Sequence, residues 1–120
     1  MAIQHFFEQE RHTRDYLLPY FHKHIPDLLH RQVLEIGCAE GGFLKPLIQL
    51  GMDARGIELS AARVAIALQH TPPLPVQAGD ITDPGISKQI VQLISFGCEL
   101  IQFQLNIRID ITSGNRDIAS

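Results

Sequence analysis

Three carboxylates recur along the chain at nearly equal intervals: Glu35, Glu58 and Asp80, 23 and 22 residues apart. Each stands at or near the end of a short apolar run. Just after the first comes G-C-A-E-G-G, residues 37–42. A glycine-rich turn lets a ligand approach the backbone closely, because no β-carbon is in the way. The free N–H groups at the start of the next helix then face that ligand. A carboxylate closing a second strand can accept from both hydroxyls of a ribose. The chemistry on offer is recognition of a nucleoside-bearing ligand. Cys38 lies in the same turn, but packing explains a small side chain there, and no base is identifiable to make it a nucleophile.

The elements that must position these residues follow from the patterning. Val33-Leu34-Glu35-Ile36 is a mostly apolar run ending at Gly37, as in a strand buried on both faces of a parallel sheet. Phe43, Leu44, Leu47, Ile48 and Leu50 then give a helical period, stopped by Gly51 as a C-terminal cap, with Pro46 tolerated in the first turn. Residues 54–59 form a second strand. Ser60 is a helix N-cap residue for 61–68, which is rich in helix formers. The segment T-P-P-L-P over 71–75 breaks the chain, and Val76-Gln77-Ala78 is a third, short strand ending at Gly79-Asp80. Alternating strands and helices with short links predict right-handed crossovers and a doubly wound, parallel α/β sheet. All three acids then lie along the carboxyl edge of the strands, where open α/β sheets bind ligands.

Before the first strand, Tyr16, Leu17, Tyr20, Phe21 and His24 fall at helical spacings, with Pro19 starting or kinking the helix and Pro26 closing it. Tyr16, Tyr20 and Phe21 are read as packing residues. Five histidines precede the first strand, but His22 and His24 point to opposite sides of a helix and no cysteine or acid joins them at ligand spacing, so no metal site is expected. Glu40 reads as an acid favoured by a helix N-terminus.

Composition bounds the function. The chain has 120 residues, 45% hydrophobic and 19% charged, with a formal net charge of −3. That supports one core and excludes intrinsic disorder. The weak acidity argues against nucleic-acid and membrane-surface partners, which call for a basic face. No apolar run approaches the ~18 residues of a membrane span. The start, M-A-I-Q-H-F-F-E-Q-E, lacks the pattern of a secretory signal, and Cys38 and Cys98 fit no disulfide framework, so a cytoplasmic setting is expected.

Residues 30–83 resemble a class I S-adenosylmethionine-dependent methyltransferase. The family's first motif is matched by Glu35, Gly37, Ala39 and Gly41, with alanine in place of the middle glycine. G-I-E-L over 56–59 resembles the second motif and A-G-D-I over 78–81 the third. The resemblance implies a partial Rossmann-like, doubly wound parallel sheet of three to four strands with flanking helices. It implies S-adenosyl-L-methionine as cofactor, and a role for each matched residue. Glu35 would hold the methionine end, and Gly37, Cys38, Ala39 and Gly41 would form the loop beneath it. Glu58 would bind the ribose hydroxyls, Leu59 would pack on the adenine, and Asp80 would accept from its amino group beside the Ile81 backbone. No catalytic residue or methyl acceptor is assigned. The alternatives are a nicotinamide- or flavin-binding Rossmann oxidoreductase and a truncated, non-catalytic cofactor-binding domain. The first would need glycine at Ala39, would leave Gly79-Asp80 without a role, and would set a pyrophosphate against Glu35 and Glu40.

The expected organisation is an N-terminal helical segment over 1–31, the cofactor-binding half of a methyltransferase domain over 32–85, and an atypical tail over 86–120. A full domain of this kind runs to roughly 180 residues or more. From Ile101 to Ile111 apolar residues alternate strictly with polar ones, the mark of a sheet with one wet face. The tail is therefore read as departing from the first 85 residues, as a truncation or frameshift would make it. The first strand is expected near an open edge, which the alternating stretch could cover. That stretch could also pair with a second copy of the chain.

Overall fold

The structure is a computed structural model in which residues 2–102 are described. The chain opens with helix α1 (Ala2–His12), a π-helical turn (Thr13–Leu17) and α2 (Leu18–His24), followed by a 3-10 turn (Leu28–His30). Strand β1 (Gln32–Ile36), helix α3 (Leu44–Gln49), β2 (Asp53–Glu58), α4 (Ala61–Leu68), β3 (Val76–Ala78), α5 (Pro84–Ser95) and β4 (Glu99–Gln102) complete it. The four strands form one all-parallel sheet in the order β3-β2-β1-β4. This is the α/β architecture expected.

Local chemistry sets the boundaries. Ser60 Oγ accepts from Arg63 N at 3.3 Å to open α4, and Asp83 Oδ1 accepts from Gly85 N at 2.8 Å to open α5, with Pro84 at its first position. At the end of α3, Gly51 takes φ +85°, its N–H reaches Ile48 O at 2.9 Å, and Met52 N reaches Leu47 O at 3.1 Å. That double bond is a Schellman closure, and buried Leu47 and Met52 share one core cluster beneath it.

The sheet separates two cores. On one side Val33, Ala54, Val76 and Ile101 pack with Phe6, Phe21, Phe43, Leu44, Leu47 and Val64. On the other, Leu34, Ile36, Ile57 and Leu100 pack with Ile90 and Ile94 of α5 and with Cys98. Burial pushes the Cys98 thiol up to about 11, so it sits as a small protonated apolar group.

Two expectations are corrected. Residues 86–102 continue the sheet's logic instead of leaving it. After α5, β4 pairs with β1 in parallel register, Leu34 opposite Leu100 and Glu35 opposite Ile101. Strand β1 therefore has a neighbour on each side, and the edge expected beside it is covered by β4, a strand that takes in the first two residues of the alternating stretch. Leu100 and Ile101 are buried in opposite cores, so β4 is covered on both faces where it is described. The rest of the alternating stretch, with its self-pairing, lies outside the described residues.

The second correction concerns the N-terminal helix. Its buried positions are Phe6, Glu10, Thr13, Leu18 and Phe21. The spacing stretches to five between Thr13 and Leu18, where Leu18 N bonds Thr13 O across the π-turn. The extra residue shifts the buried stripe off the pattern read from sequence. Tyr16 and Tyr20 stay exposed, with ring centroids 5.4 Å from His12 and 4.4 Å from His24, while Phe21 is buried.

Gly56 lets the loop after β1 settle against β2. A β-carbon placed there would fall 2.4 Å from Cys38 Sγ, 2.7 Å from Cys38 Cβ and 2.8 Å from Leu44 Cδ1. We expect Gly56→Ala to lower stability by about 1–3 kcal/mol through overpacking, despite alanine's smaller entropic cost. Adding Cys38→Gly should return part of that loss. A double-mutant cycle of urea unfolding checks it, with strict additivity counting against the close approach.

Candidate functional site

The carboxyl ends of β1, β2 and β3 converge because backbone bonds carry on past the strands. Gly37 N donates to Ile57 O at 2.8 Å and Gly79 N to Glu58 O at 3.0 Å. Residues 37–42, Glu58 and the Gly79-Asp80 turn are thereby brought to one edge. Within the loop Gly37, Ala39 and Gly41 have φ of +73°, +52° and +88°. Alternate residues are thus left-handed, which favours glycine at all three positions. Alanine at the middle one is held by a charge-assisted bond, Ala39 N donating to Glu58 Oε1 at 2.8 Å.

Glu58 is buried, and its other oxygen accepts from Ser60 N at 2.8 Å. Each carboxylate oxygen retains acceptor capacity after these bonds. Beside it Leu59 is 68% exposed, a large apolar side chain laid open at the end of β2. Asp80 is exposed and closes an Asx turn: its Oδ1 accepts from Thr82 Oγ1 at 2.7 Å and Thr82 N at 2.9 Å. Those bonds, the hydroxyl first, hold its carboxyl below the usual range. Ile81 is half-buried against the α5-side core.

Glu35 and Glu40 are both fully buried, and none of their four carboxylate oxygens has a hydrogen-bond partner among the described residues. Burial, and then the negative charge of Glu58, raise the Glu35 carboxyl well above its ordinary value. Arg63 Nε comes within 3.3 Å of Glu40 Oε2, close enough for ion pairing but not aligned for a hydrogen bond. Glu40 is thus a buried acid beside Arg63 of α4, and it lies four residues ahead of the start of α3 rather than in that helix's first turn. Burial and the neighbouring acids, Glu35 first, push the Cys38 thiol far up, which suits a packing role and not a thiolate.

Two side chains at this edge escaped the sequence reading. Arg63 stands in the first turn of α4, and nothing in its neighbourhood of sequence ties it to Glu40. Gln9 of α1 lies over the loop, with Oε1 buried and unpartnered. The doubled glycine at 41–42 is the one signal that something must come close there. Among the described residues no group of three or more His, Cys, Asp and Glu side chains could hold a metal ion, and no helix is long and apolar enough to cross a membrane.

No protein-family model matches the chain, and no curated protein matches it in sequence. Among solved structures it is similar to one described as a SAM-dependent methyltransferase from Archaeoglobus fulgidus, at 18% identity and a TM-score of 0.50. The match takes in 88% of this chain and 45% of that one, so the chain spans under half of that protein's length. At this identity the likeness is one of fold: the chain has the α/β fold of that structure over the part it covers.

Proposed function

We propose that the chain binds S-adenosyl-L-methionine across the carboxyl ends of β1, β2 and β3, as the cofactor-binding part of a methyltransferase. The observation that carries this reading is the pair of buried carboxylates, Glu35 and Glu40, without a hydrogen-bond donor between them. Glu40 has the charge of Arg63 beside it, but a buried carboxylate without hydrogen-bond donors destabilises a fold unless a ligand supplies them. A ligand with a sulfonium and an ammonium does so. A dinucleotide's pyrophosphate adds negative charge to a place that already holds Glu35, Glu40 and Glu58.

The remaining residues fit this assignment. Gly37, Cys38, Ala39 and Gly41 form a floor whose left-handed turns keep side chains out of the ligand's way. Glu58 has lone pairs left for the ribose hydroxyls, and Leu59 offers an apolar surface for the adenine. Asp80 Oδ2 is available to the adenine amino group, with the Ile81 backbone alongside. When bound, the cofactor supplies an electrophilic methyl group. This chain's residues bind and orient it and exclude water from its charged end. The similar structure's name supports the reading at the level of fold. Residues 32–85 would hold the cofactor, with the helices before β1 packed above it.

Three outcomes are expected. In isothermal titration, S-adenosylmethionine and S-adenosylhomocysteine bind, while NAD, NADP and FAD do not; a preference for any of the last three would sink the proposal. Glu58→Gln should weaken the two sulfur ligands by about 1.5–3 kcal/mol, the worth of hydrogen bonds to a charged group. An unchanged affinity would remove the ribose role.

The third concerns Glu35, which should trade stability for binding. Because its carboxyl is raised in the folded state, it favours folding fully below its unfolded value of about 4.3 and loses that contribution as pH rises toward the raised value. Glu35→Gln should therefore raise the Tm of the ligand-free chain at neutral pH, with the gain shrinking as pH falls to about 4. The same substitution should weaken S-adenosylhomocysteine. Thermal scans across pH, with and without ligand, read both effects, and a Tm gain independent of pH would contradict burial of an ionisable carboxyl as its cause.

A further inference from the structure

A concavity opens between α1, α3 and the end of α4. Phe6 and Phe7 of α1, Lys45 of α3, Ile66 of α4, and Gln69 and His70 just past that helix line a cavity of about 300 Å³. None of the residues assigned above to the cofactor is among them. The walls are mostly apolar, and three of the six lining side chains, Phe6, Phe7 and His70, carry aromatic rings. Phe6 is the middle one: its ring centroid lies 5.5 Å from that of Phe7, edge-on at 75°, and 4.7 Å from that of His70, tilted by 35°. Phe6 is buried and Phe7 exposed, so the cluster has a fixed floor and an open flank. Rings so arranged offer edges and faces to a further planar ring more readily than to a bulky aliphatic group. A cavity of this size, apolar with a few polar groups turned to one place, suits a small molecule.

Charge narrows the ligand. Lys45 Nζ stands 5.6 Å from the Phe6 ring centroid. Its ion-pair partner is Glu10 Oε2 at 3.4 Å, and Arg14 Nη1 shares that same oxygen at 3.9 Å. Two cations on one carboxylate leave a surplus of positive charge, and Lys45 is the one that lines the cavity. No acid is among the six lining residues. The amide of Gln69 adds donors next to it. Burial, and then Lys45, hold the His70 imidazole below its usual range, with Glu10 acting in the opposite direction, so His70 enters as a neutral ring at pH 7. We propose that this cavity binds a planar aromatic carboxylate, its ring against Phe6, Phe7 and His70 and its carboxylate on the Lys45 ammonium, with the Gln69 amide alongside. The site is separate from the cofactor edge, and the proposal stands or falls independently of that reading.

The probes are 2-naphthoate and its uncharged isostere 2-naphthamide, titrated into the full chain and followed by NMR. The acid should bind with a Kd of about a millimolar or tighter, the level ordinary ligand efficiency gives a molecule of this size, and shift the amides of 66–70. The amide should bind about tenfold or more weakly, the effect of losing a hydrogen bond to a charged group. A bound carboxylate offsets Lys45, so the His70 ring should titrate at higher pH with 2-naphthoate than in the free chain and stay unmoved with 2-naphthamide. These comparisons need no variant to fold. Lys45→Met should remove the preference for the acid, while Lys45→Arg retains it. Phe7→Ala, at an exposed position, should weaken both probes alike, by about threefold or more. Equal affinity for acid and amide, shifts that bypass 66–70, a His70 titration that ignores the acid, or no binding of 2-naphthoate at about 10 mM would each overturn the site.

Discussion

Glu58 accepts from Ala39 and Ser60 through its carboxylate and from Gly79 through its main-chain carbonyl. Each of the three strand-end segments is therefore bonded to one residue. Two of those bonds are charge-assisted and among the stronger kind available to a backbone N–H. The one from Ala39 holds that residue in a conformation that an L side chain resists and keeps the loop close to β2, where a β-carbon on Gly56 would crowd Cys38. The same carboxylate lies near enough to Glu35 to raise its carboxyl further. The geometry of the edge and its electrostatic tension have one origin.

That tension is local. Elsewhere much of the chain follows the ordinary rules: capped helices, a strand β1 covered on both faces and two apolar cores. The carboxyl edge combines a left-handed alanine, two buried acids without hydrogen-bond donors and an exposed leucine within a few residues of one another in the fold. Several such departures gathered at one edge are expected when that edge is kept for something other than stability.

The edge was readable in the sequence because its requirements are local. A glycine-rich turn, a carboxylate at a strand end and a serine before a helix act within a few residues, and the pattern displays them. Strand β3 was legible to the residue, and Gly51 as a cap likewise. What the pattern concealed depends on distant partners. Glu58 looked like a ligand residue and is also a structural anchor, because the amide of Ala39 reaches it from 19 positions away. Gln9 and Arg63 matter only through contacts with the loop. Strand β4 was hidden for a different reason: its last two residues begin a longer alternating stretch whose period suggested one wet face, whereas Leu100 and Ile101 are buried on opposite sides.

The π-turn at Thr13–Leu17 works as a phase adjuster. Each α-helical residue advances the side chains by about 100°, so an uninterrupted helix with this spacing would turn either Phe6 and Gln9 or Leu18 and Phe21 away from the sheet. The π-turn absorbs the surplus residue just ahead of Pro19, whose missing N–H already weakens the helical ladder there. The segment thus carries a length change it has already accommodated. Loss of one residue between Thr13 and Leu18 would restore a plain helix with both halves still in register, whereas the same loss between Phe6 and Thr13 would rotate Gln9 off the loop. Homologous sequences should accordingly vary in length at the first place and hold it constant at the second.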